Sequence, residues 1–249
     1  YYLRFAGVGA ETRGASAIDV ALWDILGQAA SLPLHDLLGG RMRQSVTAYN
    51  TCAGYGYARR PIKGTLDNKD WFNIGRGPYE DLDAFLHRAD ELALSLVEEG
   101  FAAMKIWPLD EFATSTDGNH ISMPDLAKGL EPFRKIRKAV GDKIEVALEL
   151  HSRWALTPAK RIAHAAEEFE PLWFEDPLRV DNLLAIADFA RSTRIPTIAS
   201  ELISNKFNFA QLLEQHVLGY VMFDFGWVGG VSEARKIATM ADAYHLPVA

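Results

Sequence analysis

Ionisable side chains stand at or near the ends of successive apolar runs in this 249-residue chain. The stretch VALELHSRW, residues 146 to 154, places Glu149 and His151 two positions apart, so on an extended strand their side chains point the same way. Carboxylates follow in later runs at steps of 26, 26 and 23 residues. The whole set consists of Lys105, Glu149, His151, Glu175, Glu201 and Asp224. Residues of these types can bind a cation and exchange protons with a substrate.

Each carboxylate step corresponds to about one strand and helix unit, which in a parallel barrel brings the strand ends to one mouth. Several carboxylates at one mouth repel one another unless a cation lies between them. Oxygen ligands without a cysteine cluster favour Mg²⁺ over zinc. The alternative is that each acid caps a following helix or pairs with a surface arginine. The regular spacing favours the metal.

Short β-rich runs alternate with helical patterns, which predicts right-handed βαβ units and a parallel sheet. Predicted strands cover 45–51, 102–108, 144–151, 172–177, 197–202 and 220–225, and a seventh begins at 246–249. Both a doubly wound sheet and a (β/α) barrel fit this order. Because no GxGxxG follows the first strand and no P-loop motif occurs, the α/β fold is predicted to be a barrel.

Before the first strand, residues 14 to 40 carry a helical stripe of apolar side chains, and the helix is expected to stop near Leu32 and Pro33. The stripe consists of Ile18, Ala21, Leu22, Ile25 and Leu26. An amphipathic helix of this kind needs a partner to cover its apolar face. Later helices are predicted at 81–99, 125–140, 158–168, 183–192 and 231–243.

Two long segments follow predicted strand ends. Residues 54 to 80 are rich in glycine, aromatic and basic residues, and they are interpreted either as a lid that contacts substrate or as an ordinary surface insertion. Residues 109 to 123 form a second insertion after a strand end. Together they favour loops gathered on the active-site face of a barrel.

The composition is that of an ordinary globular chain, with 49% hydrophobic residues. The net charge of −7 argues against nucleic acid and anionic membranes as partners, since both require clustered Lys and Arg. No apolar run approaches the roughly 20 residues of a membrane span and no signal peptide is apparent, so a cytoplasmic location is expected. The single cysteine, Cys52, allows no internal disulfide and is interpreted as a small structural residue.

Several motifs together resemble the mandelate racemase/muconate lactonising branch of the enolase superfamily. They are SAIDVALWDILGQAASLPLHDLLGG, GFAAMKIWP, LWFEDPL, IASEL and FDFGWVGGVSEARKIATMADAYHLPVA. The resemblance implies an α+β capping domain followed by a modified (β/α) barrel. Residues 1–43 are then the end of the capping domain, and 44–249 are a partial barrel with strands one to six and the start of strand seven. The chain is expected to be an interior fragment of a longer enzyme.

The resemblance also implies roles for the strand-end residues. Glu149, Glu175 and Glu201 match the three metal ligands of the family. Asp224 matches the acid that orients a catalytic histidine on the next strand, beyond residue 249. Lys105 matches the first lysine of a K-x-K pair, where it either offers positive charge to a substrate carboxylate or forms an ion pair with Glu149.

The second position of the lysine pair holds Trp107, so the usual lysine base is missing. The motif ELHSR resembles the D-x-H-x-R signature of sugar-acid dehydratases, in which the histidine, here His151, protonates the leaving hydroxyl. The favoured function is a Mg²⁺-dependent dehydratase that converts a sugar acid, an aldonate or aldarate, into a 2-keto-3-deoxy acid. The alternatives are a racemase, epimerase or cycloisomerase of the same superfamily, or a truncated non-catalytic fragment. The resemblance also implies a homo-oligomer.

Overall fold

The computed structural model describes residues 9–54 and 80–249. The helices, in chain order, are α1 (Ala10–Ala30), α2 (Leu34–Leu37), α3 (Asp81–His87), α4 (Ala89–Glu98), α5 (Asp110–Thr114), α6 (Met123–Gly129), α7 (Glu131–Val140), α8 (Leu156–Ala166), α9 (Leu183–Ala190), α10 (Asn205–Leu213) and α11 (Gly230–Ala243). The strands are β1 (Tyr49–Asn50), β2 (Ala103–Ile106), β3 (Glu145–Glu149), β4 (Phe174–Glu175), β5 (Thr197–Ala199) and β6 (Tyr220–Val221). None of the described helices is long and apolar enough to cross a membrane.

The chain divides into two compact units. One unit is Thr47–Pro196, called the β1–β4 unit after its strands. The other combines Tyr1–Val46 with Thr197–Ala249 and is called the β5–β6 unit. Within the described part of each unit, neighbouring strands pair in parallel. Parallel neighbours need crossover connections, and the helices between the strands provide them, as predicted.

In the β1–β4 unit, the strands are hydrogen-bonded in chain order; β1 is half-buried, whereas β2, β3 and β4 are mostly buried. All four residues of β2 are buried, as are the last four of β3. Burial on both faces explains why these strands form nearly continuous apolar runs in the sequence. The register places Lys105 beside Ala147 and Glu149 beside Glu175. Because alternate residues of a strand share a face, Lys105, Glu149 and Glu175 lie on one side of the sheet.

Helix α7 of the same unit packs against α4 through a face with helical spacing. Phe133 and Ile136 on this face have no exposed surface, and Val140 is also buried. Arg134 and Lys138, on the opposite face, are exposed. Replacing a buried phenylalanine by alanine costs about 3–5 kcal/mol, so contacts of this kind hold the helices that support the strands.

In the β5–β6 unit, helix α1 packs against α11 through polar side chains. Ser16 Oγ accepts a hydrogen bond from the Gly229 backbone N–H at 2.9 Å, and Asp19 Oδ2 accepts one from the Ser232 N–H at 2.9 Å. Gly230 permits this close approach, since a Cβ atom there would lie 2.3 Å from Asp19 Oδ2. Two backbone amides at the N-terminus of α11, which have no partner within the helix, are therefore satisfied by α1.

Helix α1 confirms the predicted N-terminal helix, which ends just before the predicted stop at Leu32 and Pro33. Its apolar stripe was expected to find a partner, but within the described residues it is exposed: 65% for Ile18, 55% for Leu22 and 60% for Ile25. The polar face is buried instead, because its side chains bind the first amides of α11. Helical periodicity therefore identified the two faces correctly but not which of them packs on the neighbouring helix.

Strands β5 and β6 are parallel neighbours, with Ile198 beside Tyr220. An isolated parallel bridge joins Val221 to Val248. This bridge lies in the segment 246–249, where the sequence predicted the beginning of a seventh strand. The described residues of this unit therefore include two strands and the first pairing of a third.

The structure describes one of the two long segments that follow predicted strand ends, but not most of the other. Most of the first segment, 54–80, lies outside the described residues, so its interpretation as a lid stays a prediction. The second segment, 109–123, contains the short helix α5 and leads directly into α6. Helix α5 contributes a residue to the candidate site.

Candidate active site

Three ionisable side chains meet near the carboxyl ends of β2, β3 and β4. The Lys105 ammonium donates hydrogen bonds to Glu149 Oε2 at 3.0 Å and to Glu175 Oε1. Their side chains are 9%, 4% and 1% exposed, respectively. The strand register brings them together, because Glu149 and Glu175 are paired residues and Lys105 lies on the same face of the sheet. The ion pair between Lys105 and Glu149 that the sequence allowed is present, and Glu175 shares it.

The two carboxylates differ in their tendency to ionise. Burial opposes ionisation of Glu149, but the positive charges of His151 and Lys105 outweigh it and lower the pKa of Glu149 to about 2. Burial and the charge of Glu149 raise the pKa of Glu175 well above its usual range. Burial disfavours the charged form of Lys105, yet Glu149 and Glu175 raise its pKa above the ordinary value. One ammonium therefore compensates one carboxylate, and the pair still attracts a proton or a further cation.

Aromatic side chains complete the surroundings of this lysine and glutamate cluster. Trp173 Nε1 donates a hydrogen bond to Glu175 Oε2 at 2.9 Å. The Tyr49 ring lies edge-to-face against Trp173, and its centroid is 5.9 Å from Lys105 Nζ. Both oxygens of Glu175 thus accept hydrogen bonds, which fixes the buried carboxylate in position.

His151 follows β3 in the left-handed conformation, with φ of 49°. Its backbone N–H donates to Glu149 Oε1 at 2.8 Å, and its Nδ1 lies 2.7 Å from Asp110 Oδ2. Its ring packs edge-to-face against Trp107, with centroids 5.4 Å apart. Burial opposes the charged ring, but the charges of Asp110 and Glu149 outweigh it and raise the pKa of His151 to about 9. The raised pKa favours the protonated ring, the form from which a proton can be given to another group.

Asp110 is the residue of this site that sequence reasoning missed. It begins helix α5 and is completely buried. Arg153 Nη1 lies 3.5 Å from Asp110 Oδ2, and Arg153 Nη2 donates to Thr114 Oγ1 at 3.2 Å. The one available signal was its position, four residues after the end of β2 and inside the segment interpreted as an insertion. A site residue on a short helix after a strand is a common arrangement in barrels.

In the β5–β6 unit, Glu201 and Asp224 each follow a strand and are half-buried. Asp224 Oδ1 accepts a hydrogen bond from the Gly226 backbone N–H at 2.6 Å. The Asp224 carbonyl accepts bonds from the backbone N–H groups of Trp227 and Val228. Asp224 therefore stabilises its own glycine turn. Its role in orienting a histidine stays a prediction, as does the role of Glu201 as a ligand.

Across the described ranges, no group of three or more His, Cys, Asp or Glu side chains is arranged to hold a metal ion. The donor chemistry of the β1–β4 unit still fits a hard divalent cation, because Glu149 and Glu175 are adjacent, buried oxygen donors with one ammonium between them. Two neighbouring carboxylates repel each other when no divalent ion lies between them, and this repulsion contributes to the raised pKa of Glu175. Glu149 and Glu175 are therefore the described residues that could hold Mg²⁺.

Cys52 lies just beyond β1 and is fully buried. Its thiol donates to the Asn50 carbonyl oxygen at 3.6 Å, and its backbone N–H donates to Asn50 Oδ1 at 2.6 Å. Burial, and then the negative charge of Asp81, raise the pKa of the Cys52 thiol far above its usual value. A protonated, inaccessible thiol is unreactive, in agreement with the interpretation of Cys52 as a structural residue.

The fold and the site define an α/β protein with acid and base groups at the carboxyl ends of parallel strands, as in barrel enzymes. Residues 88–249 match the family described as enolase C-terminal domain-like, and residues 4–39 match the mandelate racemase/muconate lactonizing enzyme N-terminal domain. The chain therefore belongs to the mandelate racemase/muconate lactonizing enzyme family of the enolase superfamily. This confirms the predicted fold class, an α/β fold of the enolase-superfamily barrel type.

The chain is similar to curated enzymes and to solved structures along nearly its whole length. It is 30% identical over 240 residues to the D-xylonate dehydratase of Haloferax volcanii, covering 94% of this chain and 51% of that protein. It is 26% identical over 233 residues to the D-gluconate/D-galactonate dehydratase of Picrophilus torridus, covering 94% and 52%. An enolase of the mandelate racemase subgroup from Agrobacterium tumefaciens is 45% identical with a TM-score of 0.82, covering 100% of this chain and 59% of that structure. The chain spans about half the length of the curated relatives it matches.

Proposed function

We propose that the full-length protein is a Mg²⁺-dependent dehydratase of a sugar acid, an aldonate or an aldarate. The observation that carries this proposal is the position of His151. Its ring contacts Asp110, and its backbone N–H donates to the buried carboxylate of Glu149. In an elimination, a histidine in this position protonates the β-hydroxyl as it leaves. The curated relatives from Haloferax volcanii and Picrophilus torridus are named as dehydratases of sugar acids, which supports the same reaction class.

Within this proposal, Glu149, Glu175 and Glu201 would hold the Mg²⁺ ion, which supplies positive charge for the substrate carboxylate and for the enediolate. Lys105 pairs with both Glu149 and Glu175 and offsets one of their two negative charges at the same strand ends. The substrate is accordingly a small-molecule carboxylate. The metal ion and Lys105 would offset the negative charge of the carboxylates, which an anionic substrate requires because the chain as a whole is acidic.

The reaction removes a proton from Cα and a hydroxyl group from Cβ. A base takes the α-proton, the electron pair moves into the bond between Cα and Cβ, and the C–O bond breaks as His151 gives its proton to the departing oxygen. Water leaves, and the resulting enol tautomerises to the 2-keto-3-deoxy acid. The family resemblance points to a histidine outside these 249 residues as the base, oriented by Asp224.

Racemisation, epimerisation and cycloisomerisation need a base on the strand-two side of the substrate. The second lysine position there holds Trp107, an apolar ring with 5% exposure. Lys105 is a poor base, because Glu149 and Glu175 raise its pKa and keep it charged. Both observations favour elimination over the alternative reactions of the superfamily.

The test is incubation of the full-length protein with Mg²⁺ and a panel of aldonates and aldarates in deuterated water. Formation of 2-keto acid and incorporation of deuterium at Cα are measured together. A dehydratase forms keto acid from at least one substrate. Deuterium incorporation without keto acid would contradict the proposal and indicate epimerisation, and inertness toward the whole panel would favour a non-catalytic protein.

Replacing His151 by asparagine in the full-length protein examines the proposed acid directly. Turnover is expected to fall by about 100-fold or more with Mg²⁺ affinity nearly unchanged, because general acids contribute about 10²–10⁴-fold. His120→Asn is a matched control, since His120 is exposed in the loop between α5 and α6. Equal turnover of the two variants would remove His151 from the mechanism.

A further inference from the structure

We propose that Asp110 is a positioning residue that holds the proton on His151 Nδ1, so that His151 gives its proton to the substrate through Nε2. The kinetic consequence rests on the proposed dehydratase function. The contact between Asp110 and His151 is independent of that function and can be measured without any substrate.

Asp110 and His151 lie 41 residues apart, on α5 and after β3, and meet through a 2.7 Å contact between Oδ2 and Nδ1. The Asp110 side chain has no exposed surface, whereas that of His151 is 23% exposed. An ionised carboxylate only accepts hydrogen bonds, so the proton in this contact belongs to Nδ1. The nitrogen that exchanges a proton with a substrate is then Nε2.

Asp110 is held from two further directions. Arg153 Nη1 lies 3.5 Å from the same oxygen, Oδ2, and Arg153 Nη2 binds Thr114 on the helix that Asp110 begins. The Asp110 backbone N–H donates to the Trp107 carbonyl oxygen at 3.4 Å. The backbone of Asp110 is therefore bound to the end of β2, and its carboxylate lies within ion-pair distance of an arginine in the segment after β3.

Other contacts fix the position of the His151 ring but not the location of its proton. The backbone N–H of His151 is bound by Glu149, and Trp107 packs edge-to-face against the ring at an interplanar angle of 73°. The left-handed φ of 49° is unfavourable for a residue with a side chain, and such a conformation persists where the surroundings determine it. Packing on Trp107 orients the ring plane, and Asp110 selects which nitrogen keeps its proton.

A purely structural role for Asp110, as the ion-pair partner of Arg153, gives a different expectation. Loss of that ion pair would lower stability while the His151 ring kept its proton on the same nitrogen. The proton location on the ring therefore distinguishes positioning from packing.

The experiment uses ¹⁵N NMR of histidine rings in the full-length protein, with the His151 signals assigned by their absence in His151→Asn. The parent is expected to show a hydrogen-bonded proton on Nδ1 in both the charged and the neutral ring. Asp110→Asn is expected to lose this signature and to lower kcat by about 10–100-fold, with KM and Mg²⁺ affinity changed far less. Glu111→Gln, an exposed carboxylate on the same helix, is the matched control.

Two results would overturn the positioning role. One is an Asp110→Asn protein that keeps both the Nδ1 signature and kcat. The other is a parent protein whose neutral His151 ring carries its proton on Nε2, a measurement that holds even when the variant fails to fold. If no sugar acid reacts, the kinetic arm fails together with the proposed function, while the NMR arm still decides the role of Asp110.

Discussion

Carboxylates follow strands in both units, but their surroundings differ. In the β1–β4 unit, Glu149 and Glu175 are buried and share the ammonium of Lys105. In the β5–β6 unit, Glu201 and Asp224 are half-buried, and Asp224 binds a backbone N–H of its own turn. The regular spacing correctly predicted that all four carboxylates lie at strand ends. It did not predict which positively charged groups lie beside each of them. Residue type and spacing therefore predict position, whereas the neighbouring side chains decide the electrostatic role.

The largest expected effect comes from removing the shared counter-charge. Lys105→Met in the full-length protein, without divalent cations, is expected to lower the free energy of unfolding by about 3–5 kcal/mol, because two buried carboxylates lose their partner. Added Mg²⁺ is expected to restore part of the loss by binding the folded state. Chemical denaturation with and without Mg²⁺ measures both effects.

Lys206→Met is the matched control in the β5–β6 unit. Lys206 is 33% exposed and lies 3.2 Å from Glu233. Ion pairs with this degree of exposure contribute about 0.2–1 kcal/mol, so its loss is expected to be small. If both lysine variants lose the same free energy, the contrast between the units is wrong.

Metal affinity is expected to divide the carboxylates by role. Glu175→Gln and Glu201→Gln should each weaken Mg²⁺ binding by about tenfold or more, because affinity follows the charge of the ligands. Asp224→Asn should spare metal binding and slow α-proton exchange by about 100-fold, because an amide cannot stabilise a charged histidine. Calorimetric Mg²⁺ titration and deuterium exchange of the full-length variants measure the two quantities.

The metal affinities of the Asp224 and Glu201 variants decide which carboxylates of the two units are metal ligands. Loss of metal affinity in Asp224→Asn would make Asp224 a ligand and refute its role beside a histidine. Unchanged affinity in Glu201→Gln would confine the metal ligands to the β1–β4 unit. Asp242→Asn, an exposed carboxylate in the β5–β6 unit, provides the baseline for both measurements.

The smallest expected effect concerns Glu233, a carboxylate of the β5–β6 unit that pairs with Lys206 and Lys236. Burial opposes its ionisation, but hydrogen bonds from Lys236 and Lys206 outweigh it and lower the pKa of Glu233. Because this pKa is lower in the folded state, ionised Glu233 stabilises the fold above the ordinary glutamate pKa of about 4.3. That stability is lost as the pH falls through the lowered folded-state pKa.

Glu233→Gln is therefore expected to lower the free energy of unfolding by less than about 1 kcal/mol at neutral pH. The difference from the parent should vanish in acid, once the pH lies below the lowered pKa. Urea denaturation at the two pH values measures it, with Glu214→Gln, an exposed carboxylate of the same unit, as the control. A difference that persists in acid would show that the contribution of Glu233 is not electrostatic.

The strand order could be predicted because parallel strands buried on both faces leave apolar runs in the sequence. The run predicted at 144–151, for example, contains β3. Helix α1 shows the limit of such patterns. Its period identified a helix, but Ser16 and Asp19 bind the amides of α11 and bring the polar face inward. Periodicity shows which residues share a face, whereas the burial of that face depends on a partner far along the chain.

The site was predictable to the extent that its residues end strands. Lys105, Glu149, Glu175 and His151 come together because the strand register aligns them. Asp110 was missed because its contact with His151 spans 41 residues and depends on how α5 follows β2. The boundary between 1–43 and 44–249, the lid, and the ligand role of Glu201 stay predictions.

The buried thiol of Cys52 allows transient opening of the segment after β1 to be followed by chemical labelling. This sequence contains one cysteine, so a thiol-reactive reagent reports on a single atom within it. The reagent requires an accessible thiolate, and burial keeps the thiol protonated and out of contact with solvent. Labelling then proceeds only during transient openings of the segment after β1. The labelling rate consequently measures how often the first strand detaches from the sheet that carries Lys105.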